Sequence, residues 1–318
     1  MLTWTFPTTE LRLMFGAPPR GVRTGIWDPT VDDEPTGIPL DEVDAVLAPD
    51  SLDPLVLKRV AAAPRLRFVQ LSTAGYEHLG GILPAGVTVA NGRGVHSDET
   101  AELALGLILA RLRGIDDAAR RMTVQHWAPE QRPSLAGRRV LVVGAGSVGT
   151  EVAVRLRAFR ASVSLVGRTA RETLDGHVHG ADELPRLLPH ADVVVLAVPL
   201  TQDTTHLVDE AFLARMHDGA LLVNVSRGRV VDTDALLDEL GSGRLHAALD
   251  VTDPEPLPPD HLLWRAPNVL LTPHVGGDTP LTLVRTTELV RRQLTALLAE
   301  RPLENVVAGP PVIPLLDL

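Results

Sequence analysis

Residues 139 to 156 read Arg139-Val-Leu-Val-Val-Gly144-Ala-Gly146-Ser147-Val148-Gly149-Thr-Glu-Val-Ala-Val-Arg-Leu: an apolar strand, a glycine turn and an amphipathic helix in immediate succession. Few folds accommodate that order. Gly144 permits the tight turn, Gly146 lets backbone approach an anion, and Gly149 lets the helix close on the strand. The start of the helix, at Ser147 and Val148, presents N–H groups and a partial positive charge. Strand before and helix after make the turn a cradle for a dinucleotide's pyrophosphate rather than a merely structural turn.

Short apolar runs recur on both sides of this motif. Before it stand Val22 to Trp27, Val43 to Ala48, Leu66 to Leu71 and Val87 to Ala90; after it, Ser162 to Val166, Asp192 to Val198, Ala220 to Val225, His246 to Val251 and Val269 to Thr272. Helical or loop material separates them, so the pattern predicts an α/β protein with two parallel-sheet domains. Between the two sets, Ser97 to Arg111 opens with Ser97 as expected N-cap and acids in its first turn. It carries apolar residues on nearly every face, which predicts a buried helix. The first boundary is placed there. A last helical pattern, Pro280 to Glu300, follows the final run and leads back to the first domain. The expected domains are therefore 1–95 with 279–318, and 96–278, and a chain of 318 residues has room for two cores.

A net charge of -10, with scattered arginines, argues against nucleic acid and anionic membrane as partners. The absence of cysteine removes disulfides, thiolate nucleophiles and Cys-ligated zinc. Lys58 is the only lysine, and it sits in a helical stretch bounded by prolines, a poor setting for Schiff-base chemistry. No basic leader followed by an apolar core opens the chain, and no apolar run approaches a membrane span; a cytoplasmic location is expected.

Ligands of open parallel sheets bind beyond the carboxyl ends of the strands. Three reactive side chains follow apolar runs there: Arg227, Glu255 and His274, a carboxylate binder, a carboxylate and a titratable base. Their joint placement beside a dinucleotide turn is what singles them out. His177 and His179 fall in a polar stretch read as a surface loop rather than a metal site, and no metal is expected.

The segments Gly144-Ala-Gly146-Ser-Val-Gly149, Pro199-Leu-Thr201, Val223-Asn-Val-Ser-Arg227-Gly-Arg-Val-Val-Asp232, Leu249-Asp250-Val, Glu255-Pro256-Leu257 and Asn268-Val-Leu-Leu-Thr-Pro273-His274 resemble, in order and spacing, the D-isomer-specific 2-hydroxyacid dehydrogenases. The likeness covers nearly the whole chain. It implies a Rossmann-like cofactor domain, a flavodoxin-like substrate domain, a small 2-oxo acid as substrate, and a homodimer. By the same resemblance Arg227 grips the oxo acid's carboxylate and polarises its carbonyl, His274 gives the carbonyl oxygen its proton, and Glu255 keeps the imidazole oriented and charged. Asp250 is implied to hold the nicotinamide carboxamide. Further cofactor contacts are implied at Val198, Pro199, Thr204, Val225, Ser226 and Gly276. The turn containing Thr73, Ala74, Gly75 and Tyr76 is implied to receive the substrate, with the N–H groups of Ala74 and Gly75 on its carboxylate; such a turn is also an anion nest on physical grounds. Pocket side chains are expected from Leu47 to Pro49, Thr73, Tyr76 and Trp264.

One position departs from the NAD-type pattern. An acid for the ribose hydroxyls is usual at the end of the second strand, and this chain has Gly167 there, followed by Arg168, Thr169 and Arg171. Those donors suit the 2′-phosphate of NADP, so the expected activity is an NADP-preferring reductase of the glyoxylate/hydroxypyruvate type, with NAD as the second cofactor. Two alternatives remain open at this point: a nicotinamide-sensing, corepressor-like binding protein, and a family enzyme acting on a donor such as phosphite. The latter goes with a lysine in the substrate loop, where this chain has Ala74.

Overall fold

Continuous Val- and Leu-rich runs pay off only where a sheet is covered on both faces, and that is how the runs are used. The computed structural model describes residues 1–50, 53–77, 79, 81–174, 176–266 and 268–314. In chain order the strands are β1 (Leu2–Phe6), β2 (Val22–Ile26), β3 (Ala45–Leu47), β4 (Phe68–Gln70), β5 (Thr88–Ala90), β6 (Arg139–Val143), β7 (Ser162–Val166), β8 (Arg171–Thr173), β9 (Gly176–His179), β10 (Val193–Leu196), β11 (Leu221–Asn224), β12 (His246–Leu249), β13 (Val269–Leu271) and β14 (Val306–Ala308). The chain divides into two compact units, one formed by Met1–His96 with the chain from Thr279 onward, the other by Ser97–Asp278.

In the first unit the strand order is β14-β5-β4-β3-β1-β2, parallel except for β14, which runs antiparallel to β5. Apart from that edge, this is the flavodoxin-like arrangement. Separate apolar clusters fill the two sides of the sheet, one around Trp4, Phe6 and Phe68, the other around Trp27, Leu57 and Val69. β1 does not stand out as an apolar run, although all five of its residues are buried. Its alternation of Thr with apolar residues disguises an interior strand. Leu47 and Ala48 are buried in these clusters, so they do not line a pocket as expected. The last helix, Pro280–Leu298, starts with proline in its first turn, where the missing N–H costs nothing. Its fully buried Gln293 donates to Gln70 Oε1 at 2.8 Å, tying the helix to β4.

In the second unit the order is β13-β12-β11-β10-β6-β7-β9-β8, a Rossmann-like sheet with one extra strand and an antiparallel edge at β8. The chain leaves β6 toward β7 and β9 and then crosses to β10, so the order reverses between β6 and β10. Here the glycine turn sits. A Cβ on Gly144 would lie 2.2 Å from the carbonyl oxygen of Ala197 beyond β10, and one on Gly149 would lie 1.7 Å from that of Gly144. Both glycines therefore buy backbone proximity.

Two expectations need correction here. The polar stretch expected to be a surface loop belongs to the hairpin β8–β9, so Arg171, His177 and His179 are strand residues. Its turn is closed by Thr173 Oγ1 donating to the carbonyl of Gly176 at 2.7 Å. The helix Ser97–Arg113 buries Ala101, Ala104, Leu107 and Ile108, but Leu103, Leu105, Leu109 and Leu112 remain partly exposed; Ser97 is its first residue rather than its cap. Beyond it, Ile115, Met122, Val124 and Trp127 are exposed apolar side chains, Trp127 to 94%. Among the described residues no helix is long and apolar enough to cross a membrane.

Because the Gly149 contact is backbone on backbone, Gly149→Ala cannot be absorbed by a side-chain rotation. The expected loss is about 1–3 kcal/mol or more, read as a lower urea midpoint with unchanged slope. An unaltered midpoint would contradict the close packing described for this turn.

Candidate functional site

The loops after β11, β12 and β13 leave adjacent strands at the same end of the second unit's sheet. After β11 the side chain of Asn224 shapes the chain: its amide donates to the Arg227 carbonyl at 2.9 Å, while its oxygen accepts from Ser226 N at 3.0 Å and Ser226 Oγ at 2.6 Å. Ser226 thus spends its hydroxyl inside the turn. Arg227 follows in extended backbone, half-buried, with Nη1 donating to the Ser226 carbonyl at 2.8 Å. The next residue, Gly228, lies so close to the loop after β12 that a Cβ would stand 1.8 Å from the Thr252 carbonyl oxygen. Arg227 is by this contact a neighbour of the loop that carries Glu255.

Asp250, 3% exposed at the end of β12, organises the third loop. Its Oδ1 accepts from Thr272 Oγ1 at 2.6 Å and Val275 N at 3.0 Å, its Oδ2 accepts from Gly276 N at 2.9 Å, and its carbonyl accepts from His274 N at 2.7 Å. Four donors converge on one residue. Two carboxylate oxygens offer about four acceptor sites, so one on Oδ2 is left for a ligand amide. The turn so held forces His274 into left-handed backbone, φ +54°. A non-glycine residue bears strain there, and the conformation persists because the surroundings over-determine it. His274 Nδ1 lies 2.5 Å from Glu255 Oε1, with both side chains about two-fifths exposed. The contact engages Nδ1, which leaves Nε2 for a ligand.

At the glycine turn, the helix Ser147–Ala158 has Gly146 as its cap and no side-chain cap bond. Its first N–H groups point out of the helix without intrahelical partners. A turn with no Cβ at its tight contacts and an uncapped helix start fits a pyrophosphate. Beyond β7, Gly167 has no carboxylate to offer, and a Cβ there would stand 2.6 Å from Arg171 Nη1. The Arg171 guanidinium reaches back over the turn, Nη2 donating to the Ala145 carbonyl at 3.1 Å. Arg168 and Thr169 are exposed beside it. Val198 and Pro199 follow β10; the hydroxyl of Thr204 donates to the Pro199 carbonyl at 2.6 Å and accepts from Thr201 N at 2.8 Å, closing that loop on itself. Val225 is buried at the end of β11 and Gly276 is buried under Asp250.

In the first unit, the turn after β4 is held from several sides. Asn91 donates to the Ala74 carbonyl at 2.7 Å, Gly92 N to the Thr73 carbonyl at 2.6 Å, and Ser72 Oγ to Asp50. Thr73 Oγ1 bonds the Gly75 carbonyl at 3.1 Å and Tyr76 is 44% exposed. Among the described residues the N–H groups of Ala74 and Gly75 have no hydrogen-bond partner. The residues that sequence reasoning missed are those that hold the loops: Asn224, Thr272, Asn91 and Asp50. Asn224, Thr272 and Asn91 carry no titratable group, and all four are revealed only by their neighbours in space.

The family model described as D-isomer specific 2-hydroxyacid dehydrogenase, NAD binding domain, matches residues 105–276. A glyoxylate reductase of Thermofilum pendens is 36% identical over 266 residues, 79% of this chain and 77% of the relative. A D-isomer specific 2-hydroxyacid dehydrogenase from Xanthobacter autotrophicus Py2, solved with NADPH and MES, superimposes with a TM-score of 0.83 at 28% identity, covering 96% of this chain and 98% of that one. An NADPH-dependent glyoxylate/hydroxypyruvate reductase from Sinorhizobium meliloti, solved with NADP and malonate, gives a TM-score of 0.78 at 27% identity, covering 98% of each chain.

The strained turn yields a conformational test independent of activity. Glycine adopts left-handed backbone freely, whereas alanine pays about 1–2 kcal/mol, partly offset by glycine's larger unfolded-state entropy. His274→Gly should therefore be more stable to urea than His274→Ala by up to about 1 kcal/mol. Equal stability, or a more stable alanine variant, would contradict the backbone assigned to His274.

Proposed function

Since the chain belongs to the D-isomer specific 2-hydroxyacid dehydrogenase family, whose members are NAD(P)-dependent enzymes, we propose that it reduces a small 2-oxo acid to the D-2-hydroxy acid and prefers NADPH. The observation that carries this reading is the His274–Glu255 pair at 2.5 Å, set on the turn that Asp250 builds. The unit Ser97–Asp278 binds the dinucleotide, and in the first unit the amides of Ala74 and Gly75 form an anion nest suited to a carboxylate. A reduced dinucleotide held by its pyrophosphate at the glycine turn would supply the hydride for the carbonyl carbon. The protein's own groups do the rest. Arg227 holds the carboxylate with a planar fork and stabilises the negative charge developing on the carbonyl oxygen. His274 protonates that oxygen through Nε2, and Glu255, on the other ring nitrogen, fixes the orientation of the ring. The remaining acceptor site of Asp250 takes the carboxamide. Val198, Pro199, Thr204, Val225, Ser226 and Gly276 border the cofactor, Thr204 and Ser226 through backbone alone because their hydroxyls are engaged within their turns.

Self-association is the simplest use of the exposed apolar side chains at Ile115, Met122, Val124 and Trp127. The chain pairs with a second copy there.

A rate survey over 2-oxo acids, glyoxylate and hydroxypyruvate first, tests the activity. A chain that binds NADPH but reduces none of them would be a nicotinamide-sensing module instead. His274→Ala should lower kcat by at least about 10²-fold while NADPH affinity stays nearly unchanged; near-normal turnover would remove His274 from the chemistry.

Cofactor preference follows from the hairpin. Arg171 already lies over the glycine turn, Arg168 and Thr169 flank it, and Gly167 at the end of β7 offers no carboxylate to repel a 2′-phosphate. One charge-assisted contact is worth roughly 1.5–3 kcal/mol, or about one to two powers of ten. NADPH should exceed NADH in kcat/KM by at least about tenfold, less at high salt. The pair of changes Arg168→Ala and Arg171→Ala should erase most of that margin and leave NADH kinetics nearly alone. A margin that survives both changes would contradict this use of the hairpin.

A further inference from the structure

The β8–β9 hairpin has a second face that the reaction does not use. Arg171 pairs with Val178 across the hairpin and Glu172 with His177. Residues alternate across a strand, so Arg171 and buried Val178 share the face toward Gly167, while His177 and His179 share the other. On that other face the two imidazole rings meet edge to face with centroids 4.7 Å apart. The following turn brings Glu183 back to the same place: its Oε1 accepts from Gly180 N at 3.2 Å, and both its oxygens lie 3.1 Å from His179 Nδ1. One ligand atom from each of His177, His179 and Glu183 falls within 4.8 Å of the others.

We infer that His177, His179 and Glu183 form an exchangeable site for a divalent transition-metal ion such as Zn²⁺ or Ni²⁺. Two imidazoles and one carboxylate are the donor set such borderline ions select, whereas Mg²⁺ and Ca²⁺ require oxygen cages. Metal–ligand bonds of about 2.0–2.2 Å place ligand atoms about 3–4 Å apart, which side-chain rotation reaches from the present spread. Three protein ligands leave a coordination position for water. A further carboxylate, Glu172, lies 2.7 Å from His177 Nδ1 and can orient that ring while adding negative charge. Arg186 pairs with Glu183 and would have to yield, but its side chain is 67% exposed, and such surface pairs contribute little. The site lies on a strand whose backbone is fixed: the His179 carbonyl accepts from Gly167 N at 2.9 Å, and β9 pairs with β7 at Val166 and Leu165.

The test is calorimetric titration of the full, tag-free chain with Zn²⁺, Ni²⁺ and Mg²⁺, alongside His177→Gln, His179→Gln and the double variant, all of which leave the proposed catalytic groups untouched. The expected result is one Zn²⁺ or Ni²⁺ per chain, at least about tenfold weaker binding in each single variant, and no response to Mg²⁺. Added Zn²⁺ should also raise the melting temperature of the unmodified chain and not that of the double variant, because an ion bound only by the folded state stabilises it. No Zn²⁺ or Ni²⁺ bound by the unmodified chain, or equal binding by the double variant, would overturn the proposal.

Discussion

The loop that carries His274 at the end of the second sheet hangs on the buried Asp250. Its carboxylate and carbonyl together receive Thr272, His274, Val275 and Gly276, and that set of bonds holds His274 in backbone a histidine does not otherwise choose. Charge-assisted hydrogen bonds contribute roughly 1.5–3 kcal/mol each, so three to the carboxylate outweigh the about 1–2 kcal/mol that left-handed backbone costs. The surplus fixes the ring where Glu255 can meet it. Strain at a reactive residue is thus set against local polar bonding, and the same aspartate keeps one acceptor site for a ligand.

A second constraint is the approach of backbones where the strand order reverses. Gly144 against the Ala197 carbonyl and Gly149 against that of Gly144 leave no room for a methyl group. The resulting turn opens an uncapped helix start toward the carboxyl ends of the strands. The same crowding recurs at Gly228 against Thr252, and it draws the Arg227 loop onto the loop that leads to Glu255. Proximity of reactive groups here follows from absent side chains as much as from present ones.

Much of this was legible in the sequence because it is local. Apolar runs such as Val193–Leu196 and Leu221–Asn224 announce buried parallel strands, and the glycine spacing announces the turn between β6 and its helix. Arg227, Glu255 and His274 could be picked out because each follows such a run. What escaped is non-local. β1 alternates Thr with apolar residues and shows its interior place only through its neighbours β2 and β3. The β8–β9 hairpin lacks a strong apolar pattern, since all three residues of β8 are exposed and Val178 alone is buried in β9. Asn224 and Thr272 carry no reactive group, yet they set the loops that do. Leu47 looked available for a pocket because the sequence does not show that both faces of β3 are covered.

The account's central claim is that Glu255 positions His274 for proton donation. The most direct measurement is a single turnover of the enzyme–NADPH complex mixed with saturating 2-oxo acid, followed by nicotinamide absorbance, in the unmodified chain and in Glu255→Gln. The account predicts that the reduction step slows by at least about tenfold while NADPH and substrate affinities hold, since only the positioning of the proton donor has changed. An unchanged reduction step would contradict it.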